Sequence, residues 1–134
     1  MTAEIIYLGE LRCKATHSAS GNQIFSDAPI DNHGKGEAFS PTDLVATALG
    51  ACLMTIMGIL AERESLQLAG TKLFIQKIMA SEPRRISEIV VEIQFPPIEI
   101  SETQKIKLER AAKTCPVAMS LHPELFQTIN FHYS

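Results

Sequence analysis

The chain has 134 residues, 46% of them hydrophobic and 20% charged, with a formal net charge of −3. That size and balance suit one globular domain over residues 1–134 and give no basic footprint for nucleic acid or an anionic membrane surface. The first residues lack the basic start and apolar run of a signal peptide, and three cysteines without short-range pairing do not make a secreted disulfide scaffold. A reducing cytoplasm is therefore the expected compartment.

Residues 4–16 read as extended, with Gly9 an interruption, and the Ser-Ala-Ser-Gly-Asn run at 18–22 is a turn signal. Residues 23–26 return as a short partner strand, which predicts an N-terminal hairpin. Residues 27–39, with Pro29, Gly34 and Gly36, are loop material leading to a helix start. Ser40 is the expected N-cap, Pro41 the first helical residue, and Asp43 a reciprocal capping carboxylate. No charged residue follows from 44 to 61. A helix that is apolar all round is expected to be buried on every side. It should reach about Leu68 and stop at Gly70.

The apolar run is just long enough to be weighed as a membrane span. Its Ala, Thr and Gly content, its acidic flanks Asp43 and Glu62, and the absence of interfacial Trp or Tyr favour a core helix and no membrane association. One small chain covers such a helix with difficulty, and Gly50, Ala51 and Gly58 permit close backbone approach. Together these predict an obligate homodimer with the helix near the interface.

Residues 71–80 and 86–95 predict a second hairpin around Pro83, Arg84 and Arg85, and Pro96-Pro97 ends it. Ser101 and Gln104 form a capping-box signature for a polar helix over 102–113. Thr114-Cys115-Pro116 restarts a short helix, closed by Pro123, and 125–133 alternates as a final strand. The fold class predicted is α+β, with antiparallel sheets around a long central helix.

Two thiols draw attention. Cys52 lies about three turns into the long helix, too far from its N-terminus for much help from the dipole. A reactive Cys52 needs a cation from elsewhere, and Arg12, His33, Lys35, Arg84 and Arg85 are the candidates. Cys115 lies at a helix start, where backbone N–H groups favour a thiolate. A free cysteine is also a small buried hydrophobe. Residue chemistry alone slightly favours a core role for Cys52, strongly favours one for Cys13, and leaves Cys115 even. The scattered Cys13, His17, His33, Cys52, Cys115, His122 and His132 show no metal-ligand spacing, and no phosphate-binding glycine pattern appears, so no metal and no cofactor are expected.

The series DAPIDNHGKGEAFSPTDLVATALGAC, followed by a helix, a hairpin and TCPVAMSL, resembles the OsmC/Ohr family over essentially the whole chain. The Gly-Lys-Gly-Glu-x-Phe-Ser-Pro lead-in looks like the OsmC-like branch related to YhfA more than the Ohr branch. The resemblance implies an intertwined homodimer with two equivalent interface sites. It also implies thiol-dependent reduction of organic hydroperoxides, with Cys52 matching the peroxidatic cysteine, Cys115 the resolving one, and an external thiol as reductant. Two positions depart from the pattern of the family's peroxidases. Thr42 stands where a Glu is usual, and the turn at 17–23 carries no Arg. Arg12, oriented by Glu37, is the expected substitute. The alternative is a non-enzymatic dimer of the same fold that binds a small apolar or thiol-bearing ligand, with Cys52 largely structural.

Overall fold

The computed structural model describes residues 1–134 and forms two compact units, Met1–Val45 and Ala46–Ser134. The first is an antiparallel meander of β1 (Ala3–Gly9), β2 (Arg12–His17) and β3 (Gln23–Asp27). Ile5 stands opposite Ala15, which stands opposite Ile24, and Cys13 lies between Tyr7 and Ser26. The expected single strand over 4–16 is two strands. Gly9, Glu10 and Leu11 have φ of 85°, 53° and 62°, so the chain reverses there in a two-residue loop. Glu-Leu lacks the Asn-Gly or Asp-Gly chemistry that announces such a turn in sequence. After β3, a 3-10 turn at Ile30–Asn32 folds back tightly. A Cβ on Gly34 would lie 1.7 Å from the Ala28 carbonyl oxygen, so no side chain fits there.

Helix α1 (Pro41–Arg63) starts as the sequence predicts. The Asp43 N–H donates to Ser40 Oγ at 3.0 Å, and the Ser40 N–H donates to Asp43 Oδ2 at 2.9 Å. It stops earlier than expected. Ser65 takes the left-handed conformation with φ of 56°, and the Leu66 N–H reaches the Ala61 carbonyl at 2.8 Å, the pattern of a Schellman ending. Serine carries none of glycine's sequence signal for that position, and Gly70 instead precedes the next strand.

In the second unit, β4 (Lys72–Ala80), β5 (Arg85–Gln94) and β6 (Phe126–His132) form one sheet in that order. β4 and β5 are antiparallel. The Arg85 guanidinium closes their turn by donating to the Ser81 and Pro83 carbonyls. β6 runs parallel to β5, with Val91 opposite Ile129, so the expectation of antiparallel pairing does not extend to this strand. The connection through α2 (Glu102–Ala112) and α3 (Pro116–Ser120) is long enough for the crossover that a parallel pair requires. Alternation of side chains carries no information on strand direction. The predicted capping box at Ser101 and Gln104 is present on α2, which buries Leu108 and Ala112.

The core joins Leu49, Leu53 and Met57 of α1 to Ile89, Val91 and Ile93 of β5, all fully buried. A Cβ on Gly50 would lie 2.6 Å from Ile75 Cδ1, so this glycine lets α1 approach β4 of its own chain. The expected burial of α1 on every side is not what one chain provides. Its buried residues, Ala46, Leu49, Gly50, Leu53, Met57 and Ala61, fall on one face. Val45, Ala48, Ala51, Thr55 and Ile59 on the opposite face are exposed. α1 is long and apolar enough by composition to cross a membrane, but its packed face makes it a core helix of this unit.

Candidate functional site

Cys52 sits at the margin of the buried stripe of α1, half-buried between exposed Ala51 and buried Leu53. It lies eleven positions after Pro41, beyond the first turn where the helix dipole acts. Cys115 arrives from the other side of the core sequence. Pro116 takes the first helical position of α3, and Cys115 becomes the N-cap in extended conformation. Its Sγ accepts the Ala118 N–H at 3.4 Å, and the residue has no exposed surface.

Cys52 neighbours Cys115, and both thiols are free. Burial is the largest influence on Cys115 and pushes its thiol up. The Ala118 N–H acts against burial, and the neighbouring Cys52 raises Cys115 further. In this arrangement burial favours the protonated form of Cys115. Such a pair is suited to thiol–disulfide chemistry, in which one sulfur is oxidised and the other condenses with it. Cys13 takes no part in that pair. It lies on β2 and is free.

Arg12 opens β2 directly after the tight turn. Its guanidinium forks onto Asp27, Nε to Oδ1 at 2.7 Å and Nη2 to Oδ2 at 2.8 Å. Asp27 also accepts the Glu37 backbone N–H at 3.1 Å and is 1% exposed. The Arg12 hydrogen bonds hold the Asp27 carboxyl below the usual carboxylate range against the opposing effect of burial, and the same bonds raise Arg12. Glu37, expected to orient Arg12, stands farther off, with Oε2 at 3.8 Å from Nη2 and a largely exposed side chain. The close partner is Asp27, which sequence reasoning passed over as the first residue of a loop. The register of β2 and β3 places Arg12 opposite Asp27, so a correctly aligned hairpin would have revealed it.

Of the other candidate cations, Lys35 pairs with Glu10 at 2.8 Å and Arg85 is tied to its turn. The Thr42 hydroxyl lies 3.2 Å from Ser40 Oγ at the helix start. No group of three His, Cys, Asp or Glu side chains converges as a metal site.

The family model described as OsmC-like protein matches residues 34–130. A solved structure from Psychrobacter arcticus 273-4, described as an osmotic stress induced and detoxification response protein, is 46% identical. It aligns over 98% of this chain and 96% of its own, with a TM-score of 0.95. An organic hydroperoxide resistance protein OsmC from Legionella pneumophila shares the fold at 13% identity, over 97% of this chain and 94% of its own, with a TM-score of 0.75. An organic hydroperoxide resistance protein from Vibrio cholerae, with captopril bound in one of its active sites, does so at 12% identity. Its coverage is 98% and 91%, with a TM-score of 0.73. No curated protein sequence matches the chain.

Proposed function

We propose that this chain, which belongs to the OsmC family, is a thiol-dependent reductase of organic hydroperoxides. The observation that carries this reading is the pairing of half-buried Cys52 with fully buried Cys115 at the start of α3. Structural neighbours named as organic hydroperoxide resistance proteins support it.

In the proposed cycle the Cys52 thiolate attacks one oxygen of the peroxide. The O–O bond breaks, the released alkoxide takes a proton and leaves as an alcohol, and Cys52 becomes a sulfenic acid. The Cys115 sulfur then attacks Cys52 Sγ, and the hydroxyl leaves as water with the Cys115 proton, forming a disulfide. An external dithiol returns both sulfurs to thiols and is itself oxidised. No bound cofactor enters this cycle.

The active form proposed is a cytoplasmic homodimer. The uncovered apolar face of α1, and exposed Ile5, Tyr7 and Ile24 in the first unit, support a partner copy. Arg12, steadied by Asp27 with Glu37 behind it, is the cation proposed to reach Cys52 from the partner protomer. The test is purified protein with cumene hydroperoxide and a dithiol, compared with Cys52→Ser. Turnover that depends on Cys52 supports the reductase, and equal consumption by both proteins rules it out. The second reading is a ligand-binding dimer without turnover. It is favoured by Thr42, whose hydroxyl sits by the helix cap where the family's peroxidases carry a Glu.

A further inference from the structure

Helix α3 has five residues, too few to hold its shape through its own hydrogen bonds. Its middle residue, Ala118, is fixed from two directions. The Ala118 N–H donates to Cys115 Sγ at 3.4 Å, and its carbonyl oxygen accepts Gln127 Nε2 at 3.0 Å. Gln127 projects from β6, where it stands opposite Ile89 of β5. Ala118 is 8% exposed, so little water competes for its carbonyl. Cys115 and Leu108 are buried in the same core.

We propose that Gln127 is a positioning residue for Cys115. It anchors the middle of α3 to the sheet, so that the N–H groups of its first turn point at the Cys115 sulfur. Both influences that favour the Cys115 thiolate, the Ala118 and Val117 N–H groups, belong to α3. Both therefore depend on how α3 is seated. A hydrogen bond to sulfur at 3.4 Å has little slack, and a small rotation of a five-residue helix breaks it. The proposal deepens the reductase reading, in which Cys115 resolves oxidised Cys52, but its first test does not need that reading.

That test uses the full chain carrying Cys13→Ser and Cys52→Ser, so that Cys115 is the remaining thiol. Cys52 is the titratable neighbour that bears on Cys115, and this background removes it. The thiolate is followed by its ultraviolet absorbance across a pH titration. Gln127→Met keeps the side-chain length and loses the donor. The midpoint is expected to rise by about half a unit, so that roughly threefold less thiolate is present at a fixed pH below it. Asn130→Leu, which removes a β6 hydrogen bond to Glu92 instead, should leave the midpoint in place. If Gln127→Met does not fold, Gln127→Leu carries the same test, since it too cannot donate to the Ala118 carbonyl and adds no charge. An unmoved midpoint in the folded Gln127 variant, or an equal rise in Asn130→Leu, overturns the proposal. In the chain with all cysteines, Gln127→Met should slow disulfide formation about threefold and leave the preceding reaction of Cys52 with peroxide unchanged. Absence of peroxide consumption in the parent protein would defeat the reductase reading while the titration still decides the role of Gln127.

Discussion

In Met1–Val45 the fully buried side chains are those of Asp27 and Ser40, whereas in Ala46–Ser134 they include Leu49, Leu53, Met57, Ile89, Ile93 and Leu108. The first unit is held by backbone ladders and by polar anchors: the Arg12–Asp27 fork, and the Ser40–Asp43 exchange at the helix start. The second is held by an apolar core. A three-stranded sheet without a covered apolar face has little stability of its own. Ile5 is 67% exposed and Tyr7 62% exposed, and such side chains gain free energy only when something covers them. The second unit therefore carries the intrinsic stability, and the first carries the surface that a proposed partner protomer would use.

The largest effect expected is on chemistry in the second unit. Cys52→Ser should lower peroxide turnover on the order of a hundredfold or more with the fold intact, read by dithiol consumption and circular dichroism. Next comes the core. Leu53→Ala should destabilise the protein by about 2–5 kcal/mol in urea denaturation, because the site is enclosed and a cavity remains. A loss below about 1 kcal/mol would mean that the core is far looser than its burial indicates.

In the first unit, Ile5→Asp should leave the core untouched and weaken the proposed dimer about tenfold or more, read by sedimentation. An unchanged association constant would remove the β1–β3 face from the proposed interface.

Acid should act on the first unit through Asp27. The folded Asp27 carboxyl titrates below its unfolded value of roughly 3.9, so its stabilisation is complete above that pH and lost as pH falls through the folded value. Asp27→Asn should flatten the acid limb of a stability profile below about pH 4. It should also release Arg12, slowing Cys52 alkylation if Arg12 serves that thiol.

The smallest effect lies at the alkaline end of the second unit. The folded Cys115 thiol titrates above its unfolded value of roughly 8.5. Its contribution is complete below that pH and is lost as pH rises through the folded value. Cys115→Ser should flatten the alkaline limb, measured by melting temperature from neutral pH upward.

The amino-acid sequence by itself determined the α1 start, the α2 capping box, and the placement of Cys115 at the head of a short helix. Each is a local matter of side chains reaching backbone groups three residues away. It also placed the β4–β5 hairpin, because alternation and a proline-bearing turn lie within one short span. Tertiary structure alone decided the parallel docking of β6, since direction depends on how the 95–125 crossover is routed and not on any residue in the strand. It decided which face of α1 is buried, because a uniformly apolar helix has no pattern to orient it. It also chose Asp27 over Glu37 as the closest partner of Arg12. Which acid reaches a guanidinium is set by strand register, and the β2–β3 register puts Arg12 directly opposite Asp27, whereas Glu37 lies in the loop beyond β3.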